Sequence, residues 1–378
     1  MISANDAARK LGDLRVALVH DWLTGMRGGE RVLAAFSSHF PHAEIFTLLH
    51  DKGSVSPELE AHRIHTSFVQ RLPASSTAYR WYLPLFPWAI EQLDLADFDL
   101  VISSSHCAAK SVITPPESLH LCYCHTPMRY AWDQFDAYFA PRRVGRAKHL
   151  AIRAAMIWLR RWDKITASRV NSYAANSAWV ASRIERYYGR LATVIPPPVD
   201  TEWFVPSEQA PEDFYLVVSA LSPYKRIEVA IEAFNRSGRS LIVVGRGPES
   251  KRLARLAGPT VEMRGWVDEQ ALRELYQRCR GLILPAVEDA GIVPLEAMAC
   301  GRPALVLDEG GAAEAVIDGE TGTLIQACDP DAVIEAIDRA EGVSFNTTRI
   351  RAHALEYGHD VFARRFLTFV TNALRAHG

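Results

Sequence analysis

The chain has 378 residues, 48% hydrophobic and 23% charged, with a formal net charge of −2. That length exceeds one ordinary hydrophobic core, so two domains are expected, and the composition excludes a disordered or fibrous chain. The near-neutral charge excludes a global attraction to nucleic acid. The six cysteines, Cys107, Cys122, Cys124, Cys279, Cys300 and Cys328, form no CxxC pair, and most lie in apolar runs. They read as reduced packing residues in a reducing compartment; Cys122 and Cys124 lack partner ligands for a metal. The N-terminal stretch MISANDAARKLGDLR has no apolar segment long enough for a signal peptide, and no later run approaches a membrane span. A cytoplasmic protein is expected, with peripheral membrane contact left open.

Strands alternate with helices throughout. Val16–His20 is a short apolar strand, followed by a glycine-containing turn and a helix from about Glu30 to Ser38. The segment Tyr79–Leu93 carries Trp81, Tyr82, Leu83, Leu85, Phe86 and Trp88. Asp97-Phe98-Asp99 matches a DxD metal–nucleotide pattern, but it precedes the strand Leu100–Ser103 at its N-terminal end. That is the wrong end for a site in an open parallel sheet, so it reads as capping, and no metal is expected. Further strands are Leu119–Cys124, Tyr173–Ala175 and Thr193–Ile195. Between them, Arg142 to Arg169 holds nine cations (Arg142, Arg143, Arg146, Lys148, Arg153, Arg160, Arg161, Lys164, Arg169) against one acid, Asp163, with apolar residues interleaved. Such a helix suits either an anionic membrane interface or an ordinary amphipathic place in a domain.

Pro196, Pro197 and Pro198 break regular structure, and Pro206 and Pro211 bound a polar stretch, which together read as the linker. A second alternating set follows: Phe214–Ser219, Leu241–Val244, Val261–Met263, Leu282–Leu284, Ala304–Leu307 and Thr323–Ile325. The alternation implies an α/β fold of two doubly wound domains, residues 1–205 and 206–359, facing a central ligand cleft at the carboxyl ends of the strands. A last helix, about Val361 to Ala376 within 360–378, is expected to cross back onto the first domain.

The chemistry concentrates at Leu282 to Gly301. A buried strand empties into a loop carrying Glu288, and the loop opens a helix carrying Glu296, with seven residues between the two acids. Pro294 is tolerated in a first helical turn, and Gly301 suits a left-handed helix end. Two carboxylates then face one space beside helix N-terminal amides near Gly291, Ile292 and Val293, a place for phosphate and sugar hydroxyls. Loop capping, or a glycosidase acid/base pair, are the other readings of Glu288 and Glu296, though a glycosidase needs no diphosphate cradle. After the first strand of this domain, Ser219–Arg226 reads SALSPYKR and puts Lys225 and Arg226 where cations meet a diphosphate. The Gly245-Arg246-Gly247-Pro248 turn is a weak signal by itself. Trp266 and Val267 end another strand, and either offer backbone groups to a nucleobase or simply pack. In the first domain, Gly28-Gly29 lets the backbone approach a phosphate or sugar closely. His125 follows a buried strand at the cleft side and reads as a donor-sugar or transition-state contact; Arg129, Tyr130 and Asp133 follow in a loop facing the acceptor.

These residues resemble the retaining glycosyltransferases of family 4, which have the GT-B fold of two Rossmann-like domains. The resemblance covers nearly the whole chain and is carried by Glu288 to Glu296, the following EAMACGRPALV, and GETGTLI. SPYKR, HTPMRYAWD and PPPVD are similar to a bacterial branch building polysaccharide or lipopolysaccharide, with many mannosyltransferases. The resemblance implies that Glu288 contacts the donor sugar, Glu296 the ribose, Lys225 the diphosphate and His125 the sugar, with Gly28-Gly29 near the donor phosphates. Ala220 departs from an Arg common in the family; Arg226, in a usual Gly position, supplies that charge instead. Ala290 stands where Phe or Tyr is common and alters the sugar pocket. The expected activity is metal-independent transfer, without a cofactor, from a nucleotide-diphosphate sugar, GDP-mannose favoured. The expected acceptor is a glycan or polyprenyl-diphosphate-linked saccharide; no nucleic acid is involved. A nucleotide-sugar epimerase of the same fold would convert donor without acceptor, and a non-catalytic partner subunit would bind nucleotide and transfer nothing.

Overall fold

A computed structural model describes residues 14–141 and 145–377. The N-terminal stretch read for a signal peptide lies, up to residue 13, outside the described residues, as do Arg142 and Arg143 of the basic stretch. The chain divides into two compact units, one running to Pro196 and resuming at Ala363, the other Pro197–Phe362.

The first unit is built on a parallel sheet of β1 (Val16–His20), β2 (Glu44–Thr47), β3 (Ile64–Thr66), β4 (Leu100–Ser105), β5 (Leu119–Cys124), β6 (Ser172–Ala175) and β7 (Ala192–Val194), in the order β3-β2-β1-β4-β5-β6-β7. Strands covered on both faces read as unbroken apolar runs rather than alternating ones, and β1, VALVH, is buried at every position. It pairs with β4 from Val16↔Leu100 to His20↔Ser104. The short runs EIFT and IHT carry no such signal, yet they form β2, next to β1, and β3, at the sheet edge, where His65 on β3 pairs with Glu44 on β2. The DxD residues lie at the N-terminal end of β4: the Arg15 amide donates to Asp99 over 2.8 Å, and the Arg15 guanidinium is 3.5 Å from Asp97.

Three helices of this unit matter for the site: α1 (Gly28–Ser37), α2 (Arg146–Thr166) and α3 (Ala178–Tyr188). The Ser177 hydroxyl caps α3 by accepting from the Val180 amide, and Gly189 at φ +66° ends it, each cap of this kind contributing about 1 kcal/mol. α2 is bolted to the unit by a buried ion pair. Lys110 Nζ lies 3.0 Å from Asp163 Oδ1 and donates to the Asp163 carbonyl at 2.7 Å. Asp163 Oδ2 accepts from Trp132 Nε1 at 2.7 Å and from the Tyr188 hydroxyl at 2.9 Å.

The second unit carries β8 (Tyr215–Val218), β9 (Leu241–Val244), β10 (Val261–Gly265), β11 (Gly281–Leu284), β12 (Ala304–Leu307) and β13 (Gly322–Ile325), all parallel, in the order β10-β9-β8-β11-β12-β13. Its strands supply two cores, one on each face: Leu216, Leu282 and Leu284 go to one, Tyr215, Val217 and Ile283 to the other. Each fully buried aliphatic side chain stabilises by about 1.5–3 kcal/mol. The helices α4 (Glu269–Arg278) and α5 (Ile292–Ala299) belong to the first of these layers. The last helix, α6 (His359–His377), begins in the second unit and enters the first at Ala363, where Phe366 is buried and stacks on Phe36 with ring centroids 4.3 Å apart.

The Lys110–Asp163 pair sets a stability test. Removing one partner leaves an uncompensated buried charge, so Lys110→Met lowers unfolding free energy by about 3–5 kcal/mol. Urea denaturation checks this, and a loss below about 1 kcal/mol contradicts it.

Candidate functional site

In the second unit, strand order reverses between β8 and β11. The loops leaving their carboxyl ends part there, which is where a doubly wound sheet opens a crevice. The β8 loop carries Lys225 at the end of a single helical turn, Pro223–Lys225, and the β11 loop carries Glu288. Lys225 Nζ donates to Glu288 Oε1, with both side chains largely shielded from solvent. A charge-assisted bond in a shielded place is stronger than its exposed counterpart. The pair presents a cation for an anionic oxygen and a carboxylate that accepts from hydroxyls.

The backbone behind Glu288 is fixed by a neighbouring loop. The Glu288 carbonyl accepts from the Gly311 amide at 2.7 Å, and a Cβ on Gly310, at φ +95°, would lie 2.6 Å from that oxygen. Only glycine allows this approach. α5 starts at Ile292 with Gly291 as its N-cap, which provides no capping side chain. Pro294 lies in the first turn and Gly301 ends the segment at φ +76°. The opening amides of a helix have no partner within it, and they attract anions and hydroxyl oxygens. Ala290 and Ile292 are half-buried, and Val293 packs partly on the core.

Glu296, on α5, is buried, and its Oε2 accepts from the Tyr276 hydroxyl at 2.8 Å. Burial, and then the charge of Glu296, holds the Tyr276 phenol well above its usual pKa, so Tyr276 remains a donor and orients the carboxylate. Tyr276 lies on α4, twenty residues from Glu296, and only the packing of α4 against α5 reveals it. Arg226 is in the left-handed region at φ +50°, the conformation glycine takes without strain. Its guanidinium turns to Glu228, with Nε 2.9 Å from Oε1, and not to the Lys225–Glu288 pair. The weak-looking Gly245-Arg246-Gly247 turn has a strict steric role. A Cβ on Gly245 would lie 1.8 Å from the Ser219 carbonyl oxygen, and one on Gly247 2.3 Å from that of Leu221. Both glycines let the β9 loop lie against the β8 loop that carries Lys225. Trp266 is 63% exposed, with the Arg246 guanidinium 5.7 Å from its ring centroid; Val267 packs partly on the core.

In the first unit the strand order reverses between β1 and β4. There the structure brings together residues that no sequence spacing connects. Asp21, directly after β1, is buried and accepts from four consecutive amides of the β4 loop, His106 at 2.7 Å, Cys107 at 2.9 Å, Ala108 at 2.5 Å and Ala109 at 2.8 Å. His106 Nδ1 lies 3.0 Å from the same carboxylate. The Ser104 hydroxyl joins two imidazoles, 3.1 Å from His20 Nδ1 and 2.8 Å from His125 Nε2. A Cβ on Gly29, in the first turn of α1 next to Gly28, would lie 3.3 Å from His20 and 3.7 Å from His125 Nε2. Gly29 therefore keeps the first turn of α1 close to His20 and His125. Among the described residues no three His, Cys, Asp or Glu side chains are grouped to hold a metal ion.

Burial governs the charge state of this cluster. It lowers His20 to about 4, with His106 adding to the effect, and it lowers His106 and, more strongly, His125. These rings are neutral near pH 7 and act as hydrogen-bonding groups rather than cations. Glu30, in the first turn of α1, is pushed up to about 7 by burial. Of the acceptor-side residues, Asp133 is tied to Arg183 at 2.6 Å, and the Tyr130 hydroxyl lies 2.7 Å from Cys107 Sγ. Arg129 is half-buried beside them. His20, Asp21, Ser104, His106, Glu30 and Tyr276 are the site residues that sequence reasoning missed.

The shifts fix a pH dependence. His20 and His120, both held at about 4 by burial, bind fewer protons folded than unfolded between that value and the ordinary 6.5. Their stabilisation is complete above pH 6.5 and is lost as pH falls toward 4. Glu30 acts oppositely, since its folded form holds a proton up to about 7. The melting temperature therefore falls from about pH 7 to about pH 5, and Glu30→Gln makes that fall steeper. A Glu30→Gln protein with a shallower pH profile than the wild type contradicts the assignment.

Comparison with known proteins identifies the family and the fold. Residues 26–203 match the model of Glycosyltransferase Family 4, and residues 200–349 that of Glycosyl transferases group 1. The chain is 33% identical, over 193 residues (43% of this chain, 50% of the relative), to a GDP-mannose-dependent alpha-(1-6)-phosphatidylinositol monomannoside mannosyltransferase of Mycolicibacterium smegmatis. It is 31% identical, over 140 residues (35% of this chain, 38% of the relative), to O-antigen chain mannosyltransferase C of Escherichia coli. The chain spans about half the length of the curated relatives it matches. Among solved structures, Anabaena Alr3699/HepE in complex with UDP aligns with a TM-score of 0.68 at 15% identity, covering 95% of this chain and 100% of that one. Sucrose-phosphate synthase from Thermosynechococcus elongatus aligns with a TM-score of 0.69 at 17% identity, covering 96% and 100%. With two adjoining family models matched from residue 26 to residue 349 and this fold shared almost end to end, the chain belongs to the family 4 glycosyltransferases of the GT-B fold.

Proposed function

We propose that this glycosyltransferase moves mannose, with retention, from GDP-mannose to a glycan or polyprenyl-diphosphate-linked acceptor in bacterial surface polysaccharide synthesis. It would work in the cytoplasm, at the inner face of the plasma membrane. The observation that carries the donor reading is the Lys225–Glu288 contact at the β8/β11 reversal, with α5 opening three residues after Glu288's neighbour Asp289. The preference for mannose draws support from the mycobacterial and O-antigen relatives, both named mannosyltransferases, and that for GDP from the mycobacterial one, whose name is GDP-mannose-dependent.

When the nucleoside diphosphate leaves, negative charge grows on the β-phosphate and the sugar becomes oxocarbenium-like. Lys225 and the opening amides of α5 stabilise that charge by position, without a metal. Arg226 contributes if it leaves Glu228. Glu288 accepts hydrogen bonds from sugar hydroxyls and fixes the ring's orientation. Glu296, held by Tyr276, accepts from the ribose hydroxyls. The neutral imidazole of His125 hydrogen-bonds a sugar hydroxyl of the donor, its ring set by Ser104.

Two outcomes test the reading. Glu288→Ala lowers transfer by roughly 10²–10³-fold while the melting temperature is kept; near-normal turnover sinks the assignment. In a thermal-shift screen, GDP and GDP-mannose raise the melting temperature more than UDP and UDP-glucose, because binding to the folded state stabilises by mass action. A larger response to the uridine compounds replaces GDP in the proposal, and conversion of the donor with no acceptor present identifies an epimerase instead.

A further inference from the structure

Of the helices in the first unit, α2 has a face that its own fold leaves uncovered. Its buried side is complete: Met156, Leu159, Asp163 and Thr166 point into the unit, and Lys110 locks Asp163 from within. The opposite side carries Leu150, Ala154, Ile157, Trp158, Arg161 and Ile165, all exposed and spaced by three and four residues along one stripe. Leu150 is 64%, Trp158 50% and Ile165 71% exposed. A helix that packs on a soluble domain usually presents polar residues outward; this one presents a second apolar stripe. Arg146, Arg153 and Lys164 run along one edge of it, exposed and without an acidic partner among the described residues. Arg160 does not join them, since its Nε donates to the Ala131 carbonyl. The one acid of the helix, Asp163, is buried against Lys110, so the outward face is purely cationic and apolar on a chain whose net charge is −2.

We propose that this outer face of α2 is a docking surface for an anionic lipid bilayer, with Trp158, Ile157, Leu150 and Ile165 entering the interface and Arg146, Arg153, Arg161 and Lys164 on the headgroups. Apolar side chains with a tryptophan on one face, flanked by cations, are what an interfacial helix requires, and the cations add attraction to an anionic leaflet. The charge pattern selects the bilayer over a second copy of the chain. A two-fold dimer through this stripe would set the same patch on both partners, bringing cations onto cations with no acid on the face to offset them. Among the described residues no helix is long and apolar enough to cross a membrane, so the contact is one of lying on the surface. The purpose of the contact rests on the proposed lipid-linked acceptor, whereas its geometry does not.

The test is flotation of the full chain, without donor or acceptor, with vesicles of phosphatidylcholine alone and of equimolar phosphatidylcholine and phosphatidylglycerol. The wild type floats with the anionic vesicles, not the neutral ones, and is released as salt rises. Trp158→Ser with Ile165→Ser, and separately Arg153→Glu with Lys164→Glu, each lower the bound fraction by about tenfold or more. Because all four side chains are exposed, melting temperature and the response to GDP stay at wild-type values. The proposal is overturned if the wild type ignores anionic vesicles, if it binds neutral vesicles equally, or if either pair of substitutions leaves binding intact. It is also overturned if light scattering shows a dimer that the Trp158→Ser and Ile165→Ser pair dissolves while vesicles stay unbound. Loss of transfer in Glu288→Ala with vesicle binding intact concerns the donor site alone, and failed flotation with intact donor binding concerns this surface alone.

Discussion

Both sheets are parallel and covered on both faces, and that constraint decides where chemistry can occur. Inside such a sheet, strand pairing takes up the backbone donors and acceptors, and helices exclude water from either side. Polar groups that must meet a ligand are therefore confined to strand ends, and the loops separate enough to admit one only where the strand order reverses. The second unit reverses between β8 and β11, and Lys225 and Glu288 lie on those two loops. The first unit reverses between β1 and β4, and Asp21, Ser104 and His106 lie there with His125. Asp97 and Asp99, at the other end of β4, bond to Arg15 and serve the fold.

The two reversals are held by different physics. In the second unit the loops are placed by glycines that no other residue can replace, Gly245 and Gly247 against the β8 loop and Gly310 against Glu288. Backbone contact at that range leaves little freedom to the charged pair they carry. In the first unit one carboxylate does the corresponding work. Asp21 gathers four amides of the β4 loop, and a carboxylate receiving several backbone N–H bonds is a strong, directional anchor. Of the imidazoles around it, His20 is buried and His106 and His125 are half-buried, and all three have lowered pKa values, so they are neutral hydrogen-bonding groups near pH 7. The first unit thus offers neutral hydrogen-bonding rings, and the second a cation beside a carboxylate.

Much of the candidate site in the second unit was legible because its residues are close in sequence to a strand, a loop and a helix start. Glu288, Pro294, Glu296 and Gly301 fall within one such run, and Lys225 follows the preceding switch strand. Two kinds of residue were hidden. β2 and β3 are four and three residues long, too short to show an apolar pattern, and they form by adding onto β1, β2 beside it and β3 at the edge. His20, Asp21, Ser104 and His106 become neighbours only once β1 is paired with β4, a fact about sheet order that no local pattern contains. Tyr276 was hidden for the same reason, since helix packing alone brings it to Glu296. Arg226 shows the limit of reading charge from position: a cation at a strand end was expected at the diphosphate, but its left-handed backbone aims the side chain at Glu228.

The central claim is that Lys225 and Glu288, although paired with each other, serve different parts of one donor. Titration calorimetry of GDP and of GDP-mannose with wild type, Lys225→Ala and Glu288→Ala separates those roles. The account predicts that Lys225→Ala weakens both ligands, because both carry the diphosphate, whereas Glu288→Ala weakens GDP-mannose and leaves GDP nearly unchanged. Equal losses for both ligands in Glu288→Ala, or unchanged binding of both in Lys225→Ala, would contradict it.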